Sequence, residues 1–360
     1  MANANLQGAI VVLNLYDIAE EIRLSELPAL IGGTRLPPPL KHPAPAHVRF
    51  ERPPVIEPLP PLSLPSGERF EATLQYYDYG VVSLLLRFAF IGDWEGLQQL
   101  TGNWISGSIF DELCRNTIRD RLAAVRAALV KPYKDWLSED YYVVHLDSVP
   151  GTSSGALLLQ EHGREISQIV RGEAAPLAEQ ERTEVLQGYM SYYPNDLIVA
   201  GWNGAFIFDT PAGAEPTIRL LEYANSQLLQ FRHYDEILTR ELERVYDLVE
   251  TRKGVFYGWR MRYAAARLRT MLLDVTELTE RTENALKFVG DMFSARVYKL
   301  CAVKIGVTDY QALVREKLHT ADELYDFMIE EFHQARGFLL EFVVVLILLI
   351  ELFFLFHGKR

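Results

Sequence analysis

The sequence predicts an α+β protein. It has a ferredoxin-like βαββαβ head over 1–210, an antiparallel, coiled-coil-like helical stalk over 211–336, a transmembrane helix at 337–356 and a short tail at 357–360. Three observations predict this. Short β-rich runs alternate with helical patterning through the first half of the chain. Helical periodicity then runs almost unbroken from Pro216. Finally, 338–356 reads FLLEFVVVLILLIELFFLF, nineteen residues with two acids and no other polar side chain.

Residues 9–14 (AIVVLN) pattern as a strand and 16–27 as an amphipathic helix; 69–76 and 80–88 pattern as two strands around a turn at 77–79. Residues 93–130 carry helical spacing with breaks near Gly102 and Gly107, and 139–146 is a Tyr/Val-rich strand. That order is the βαββαβ unit. Further strands are expected at 196–200 and 205–208 around the Trp202-Asn203-Gly204 turn. Residues 36–65 hold 11 of the 18 prolines and are expected to form an inserted extended loop, since proline removes backbone donors.

In the stalk, Leu220, Leu221, Ala224, Leu228, Ile237, Leu238, Leu242 and Val245 recur on one side of a helix over 217–249. A break at Lys253-Gly254 precedes a second helix over about 259–303, and Gly306 precedes a third that starts near Thr308-Asp309. There Val314, Leu318, Ala321, Tyr325, Met328, Phe332, Ala335, Leu339, Phe342, Leu346, Leu349 and Phe353 alternate in steps of four and three. Such a seam serves either an antiparallel hairpin or self-association. Glu341 and Glu351 fall off it, at c and f, and are expected to reach toward headgroups at the two ends of the membrane helix.

The chain has 360 residues, a net charge of −12 and two cysteines. Duplex DNA is excluded as the main partner, because binding there depends on neutralising phosphates. No disulfide framework is implied. The N-terminus lacks a basic, apolar leader, so the body is expected in the cytoplasm, most naturally at a bacterial inner membrane, with a single C-terminal pass.

Catalytic and metal signals are absent. No HExxH, CxxC, GxSxG or phosphate-loop spacing occurs, so no catalytic residue, metal ligand or cofactor is expected. Gly151-Thr-Ser-Ser-Gly155 lacks the lysine of a nucleotide loop and reads as a turn. One island stands out at 251–273. Arg252, Lys253, Arg260, Arg262, Arg267 and Arg269 occur there with no acid before Asp274, interleaved with Phe256, Tyr257, Trp259 and Tyr263. It suits anionic lipid headgroups or RNA. Equally, it suits a helix junction whose arginines pair with the acids of 241–250 or with Asp322, Glu323 and Asp326.

The YGVV of 79–82, the acid-rich helices after Pro216 and above all LEFVVVLILLIE at 340–351 resemble the Required for Meiotic Nuclear Division family. That resemblance implies a membrane-attached, non-enzymatic protein whose mitochondrial relative supports organelle protein synthesis. The expected function is therefore a C-terminally anchored scaffold or tether, with membrane lipids and the ribosome or RNA as partners. Two alternatives stand beside it: an enzyme acting at the membrane surface, and a structural homo-oligomer assembled through the stalk.

Overall fold

The computed structural model describes residues 5–31, 48–50, 52–250, 257–284, 286–288 and 292–357. The chain divides into two units, 1–233 with 281–310 and 234–280 with 311–360.

The first unit is built on an eight-stranded sheet that begins with β1 (Leu6–Ile22). After α1 (Leu27–Ile31) and β2 (Val48–Phe50) come β3 (Val55–Ser63), β4 (Arg69–Tyr76) and β5 (Val81–Gly92). Then α2 (Trp94–Ser106) and α3 (Asp111–Val125) lead into β6 (Leu129–Ser148). The unit continues through α4 (Gly155–Arg171), α5 (Glu179–Gln187), β7 (Tyr189–Met190), β8 (Leu197–Ala200) and β9 (Gly204–Phe208). Helix α6 (Pro211–Glu250) follows, then α7 (Tyr257–Asn284), β10 (Leu286–Phe288), α8 (Met292–Ile305) and α9 (Val307–His357).

The strands lie in the order β3-β4-β5-β1-β6-β9-β8-β7, while β10 pairs with β2. β1 is antiparallel to both β5 and β6, and β6 and β9 run parallel. This mixed eight-stranded sheet corrects the four-stranded ferredoxin-like expectation.

The expected helix at 16–27 is also corrected, because β1 runs on through Ile22. Ile18 and Ile22 are four apart and imitate a helical face. Yet β1 has a hydrogen-bonded neighbour on each side, which holds its backbone extended. The proline loop gives way at its end to β3, which carries Pro58, Pro60 and Pro61. An edge strand tolerates them, since one side of its ladder needs no donors, and a register shift sits between Leu59 and Leu62. Residues 32–47, with His42 and His47, lie outside the described residues. The helix expected over 259–303 is instead α7, β10 and α8 in succession.

Alternation along β1 assigns the two faces of the sheet. Ile10, Val12 and Tyr16 join one core with Leu74, Leu84, Val144 and Phe206, and Trp104, Cys114, Ile118, Leu158 and Ile166 from α2, α3 and α4 cover them. Phe70 sits at its centre, with ring centroids 5.6, 5.4 and 5.5 Å from Phe88, Trp104 and Phe110. The opposite face, carrying Asp17, Gln75 and Ser83, meets the first half of α6.

Candidate functional site

In the second unit α7 packs on the later part of α6 and on α9. One core cluster there is formed by Leu242, Val245, Met261, Ala265, Leu268, Ala321 and Met328. Ala321 and Met328 are seam positions, so within the unit the seam serves an intramolecular contact.

Most of the described arginines of the basic island have internal partners. Arg267 pairs with Glu241 at 2.6 Å. Arg269 donates to the Tyr325 hydroxyl at 3.1 Å and lies over that ring. Arg262 lies over Phe332. Arg260 and Tyr263 are exposed, Tyr263 by 75 %. Arg252 and Lys253 lie outside the described residues, as does the side chain of Trp259, whose backbone belongs to α7. Beside Arg269 a groove of about 540 Å³ opens between α7 and α9, lined on one wall by Leu272 and Leu273 and on the other by Leu318, His319, Asp322 and Tyr325.

The Arg262–Phe332 contact lies near the N-terminal end of α7. The two helices run antiparallel, because Arg269 meets Tyr325 while Arg262 meets Phe332. α7 begins at Tyr257, only five residues before Arg262, whereas α9 continues to His357. Beyond that overlap, Phe342, Val343, Val344, Val345, Leu346, Ile347, Leu348, Leu349, Ile350 and Leu352 are each between 41 % and 64 % exposed. Contiguous exposed apolar surface of this kind is uncommon on a monomeric soluble protein.

Among the described residues no helix is long and apolar enough to cross a membrane. This overturns the expected transmembrane helix, the tail-anchored single-pass topology with a cytoplasmic body, and the membrane-anchored tether. Side chains are described continuously only over 341–352 of the apolar run. Glu341 and Glu351 bracket it, and both residues are exposed.

A second constellation has no signature in the sequence: a largely buried polar stripe on the sheet-facing side of α6. Glu215, Glu222, Ser226, Gln230 and His233 follow one another along that side, the first and last of them partly exposed, and each meets a polar group of the sheet or of its β4–β5 turn. Arg87 Nη2 donates to Glu215 Oε2 at 2.8 Å, and Gln75 Nε2 to Glu222 Oε2 at 2.7 Å. Tyr79 Oη and Ser226 Oγ are 2.6 Å apart. Gln230 Nε2 donates to Asp17 Oδ1 at 2.9 Å, and His233 Nδ1 is 3.2 Å from Asp17 Oδ2. Beside them Arg232 pairs with Glu139.

A bulge in β6 completes the Asp17 end. Asp17 faces Leu137 but Ala19 faces Pro132, so 133–136 bow out of the ladder, and Lys131 takes φ +47°. Tyr133, carried on that bow, stacks on the His233 ring at 4.7 Å. Burial holds the Asp17 carboxyl well above the usual range, with the Gln230 hydrogen bond opposing it. Both cysteines are buried and free, and burial pushes the Cys301 thiol up to about 12, so neither is a ready nucleophile. Among the described residues no group of three His, Cys, Asp or Glu is placed to hold a metal ion. Ser154, in the Gly151–Gly155 turn, caps α4 by accepting from Leu157 N.

Fold and surfaces together define an α+β sheet protein carrying a helical module with an uncovered apolar end. The chain belongs to the family described as "Uncharacterized protein MJ0711, N-terminal domain", which matches residues 7–215. This corrects the resemblance to the Required for Meiotic Nuclear Division family, which rested mainly on the C-terminal run, outside the matched region. A relative, "Uncharacterized protein MJ0711" of Methanocaldococcus jannaschii, is 22 % identical over 195 residues, spanning 54 % of this chain and 59 % of the relative. No solved structure matches the chain. The matched region holds the whole sheet and α1–α5 but ends at the start of α6.

Proposed function

We propose that this protein is structural and self-associating, its family domain gathered into an assembly through the end of α9. The uncovered apolar stretch 342–352 carries this reading. A second copy suits it because the heptad seam buried at Ala321 and Met328 continues in register through Phe342, Leu346 and Leu349. A helix with the same register is the natural cover for such a seam.

A two-stranded contact would leave Val343, Val345, Ile350 and Leu352, at e and g, in water. A four-stranded parallel bundle covers them and places Glu341 and Glu351 on its outer side. The basic island is read as a brace inside the helical module, since Arg262, Arg267 and Arg269 are engaged within it.

Sedimentation equilibrium of the full chain at micromolar concentration tests the proposal. A discrete assembly larger than a dimer is expected, and the double substitution Leu346→Glu with Leu349→Glu is expected to give monomer. A monomeric wild type, or one that floats with phosphatidylcholine–phosphatidylglycerol vesicles instead of assembling, would sink the idea.

A further inference from the structure

The contact between the first half of α6 and the sheet carries a polar stripe among buried apolar residues, and within that stripe lies the carboxyl of Glu222. Glu222 is fully buried. One oxygen, Oε2, accepts from Gln75. The other, Oε1, is buried with no well-formed hydrogen bond, and so is the nearby Ser83 hydroxyl oxygen. A proton on Oε1 would give this oxygen a hydrogen to donate and leave the buried group without charge.

We propose that Glu222 is a proton-operated latch: α6 lies closed on the sheet while this carboxyl is protonated, and the contact loosens when it ionises. An ionised carboxylate there would face Ser83 and Gln75 with little else to solvate it, and burying an unpaired charge is costly.

The charged and titratable surroundings support this assignment. On α6 itself, Arg219 lies one turn away, but Glu215 competes for it at 3.5 Å while also holding Arg87 of β5. From the β4–β5 turn come Tyr77 and Tyr79, stacked at 5.3 Å and both buried. Asp78 of the same turn pairs with Arg52. From α8, Tyr298 packs on Tyr223 of α6. Arg219 is the only cation among these whose charge acts on the Glu222 carboxyl directly. Burial outweighs the Ser83 hydroxyl, Arg219 and Gln75 and, helped by Glu215, drives the carboxyl up to about 7.

The sign follows from linkage. A carboxyl whose folded value is raised favours the closed state fully at pH below the ordinary carboxylate range. That advantage is lost as pH rises to about 7, and no further change follows above it.

Hydrogen exchange of 211–233 in the full chain, corrected for intrinsic rates, reads the latch directly. Opening of these amides is expected to increase about tenfold per pH unit between pH 5 and 7, roughly a hundredfold in all, and then level off. Glu222→Gln should remove that slope, whereas Glu215→Gln should keep it. Should the Gln variant fail to fold, carbon-13 carboxyl NMR of glutamate-labelled wild type must show one glutamate titrating near neutrality. A Glu222→Gln slope equal to that of wild type, or no glutamate titrating above pH 6, overturns the proposal.

Discussion

Gly80 takes φ +91°, and a Cβ built on it would lie 1.7 Å from the carbonyl oxygen of Ala19. The turn between β4 and β5 therefore closes over β1 only because that position has no side chain. Gly80→Ala should cost about 3 kcal/mol or more, measured by urea unfolding, since both the backbone angle and the space are lost. Phe70 makes the complementary case. It is fully buried among three aromatic rings, and Phe70→Ala should cost roughly 3–5 kcal/mol through the cavity it leaves. Both residues are ordinary letters in the sequence; only the neighbours they meet make them critical.

At the scale of elements, β6 and α9 show how one segment can serve two purposes. β6 pairs with β1 on both sides of the bow at 133–136 and uses the bow to bring Tyr133 onto His233. Lys131 bears the left-handed angle that starts it. Lys131→Gly should be neutral or stabilising by up to about 1 kcal/mol, because glycine adopts that angle freely and the exposed pair with Glu20 contributes little. In α9 the same heptad seam is covered early and uncovered late. Met328→Asp would place a charge in the small core it shares with Met261 and Leu268. The expected result is a loss of about 3 kcal/mol or more, seen as early melting of helical circular dichroism.

At the scale of the molecule, charge and apolar surface act against each other. Each copy carries −12, so gathering several copies through 342–352 works against their mutual repulsion. Raising salt from about 0.05 to 0.5 M shortens the Debye length severalfold, and the assembly should tighten rather than loosen. Sedimentation velocity across that range reads the effect directly; weakening with salt would indicate that ion pairs, not apolar contact, hold the copies together.

The amino-acid sequence by itself determined the strand at 69–76, the helix break at Gly107, the hairpin around Trp202 and the helix restart after Gly306, because each depends on side-chain period or on a glycine in a turn; the break expected near Gly102 is absent, since that glycine lies buried inside α2. It also marked the acid-free island at 251–273 and the apolar run at 338–356. What those segments meet was decided only by tertiary structure. The pattern of 16–22 fits a helix in isolation, yet strands on both sides make it β. The island's arginines suit either a ligand or the acids of the stalk by sequence, and only the fold places Glu241, Phe332 and Tyr325 beside three of them. The stripe of Glu222, Gln230 and His233 looks like a solvated helix face until the sheet supplies Gln75 and Asp17. Local period records which way side chains point, and only the folded chain determines what stands opposite them.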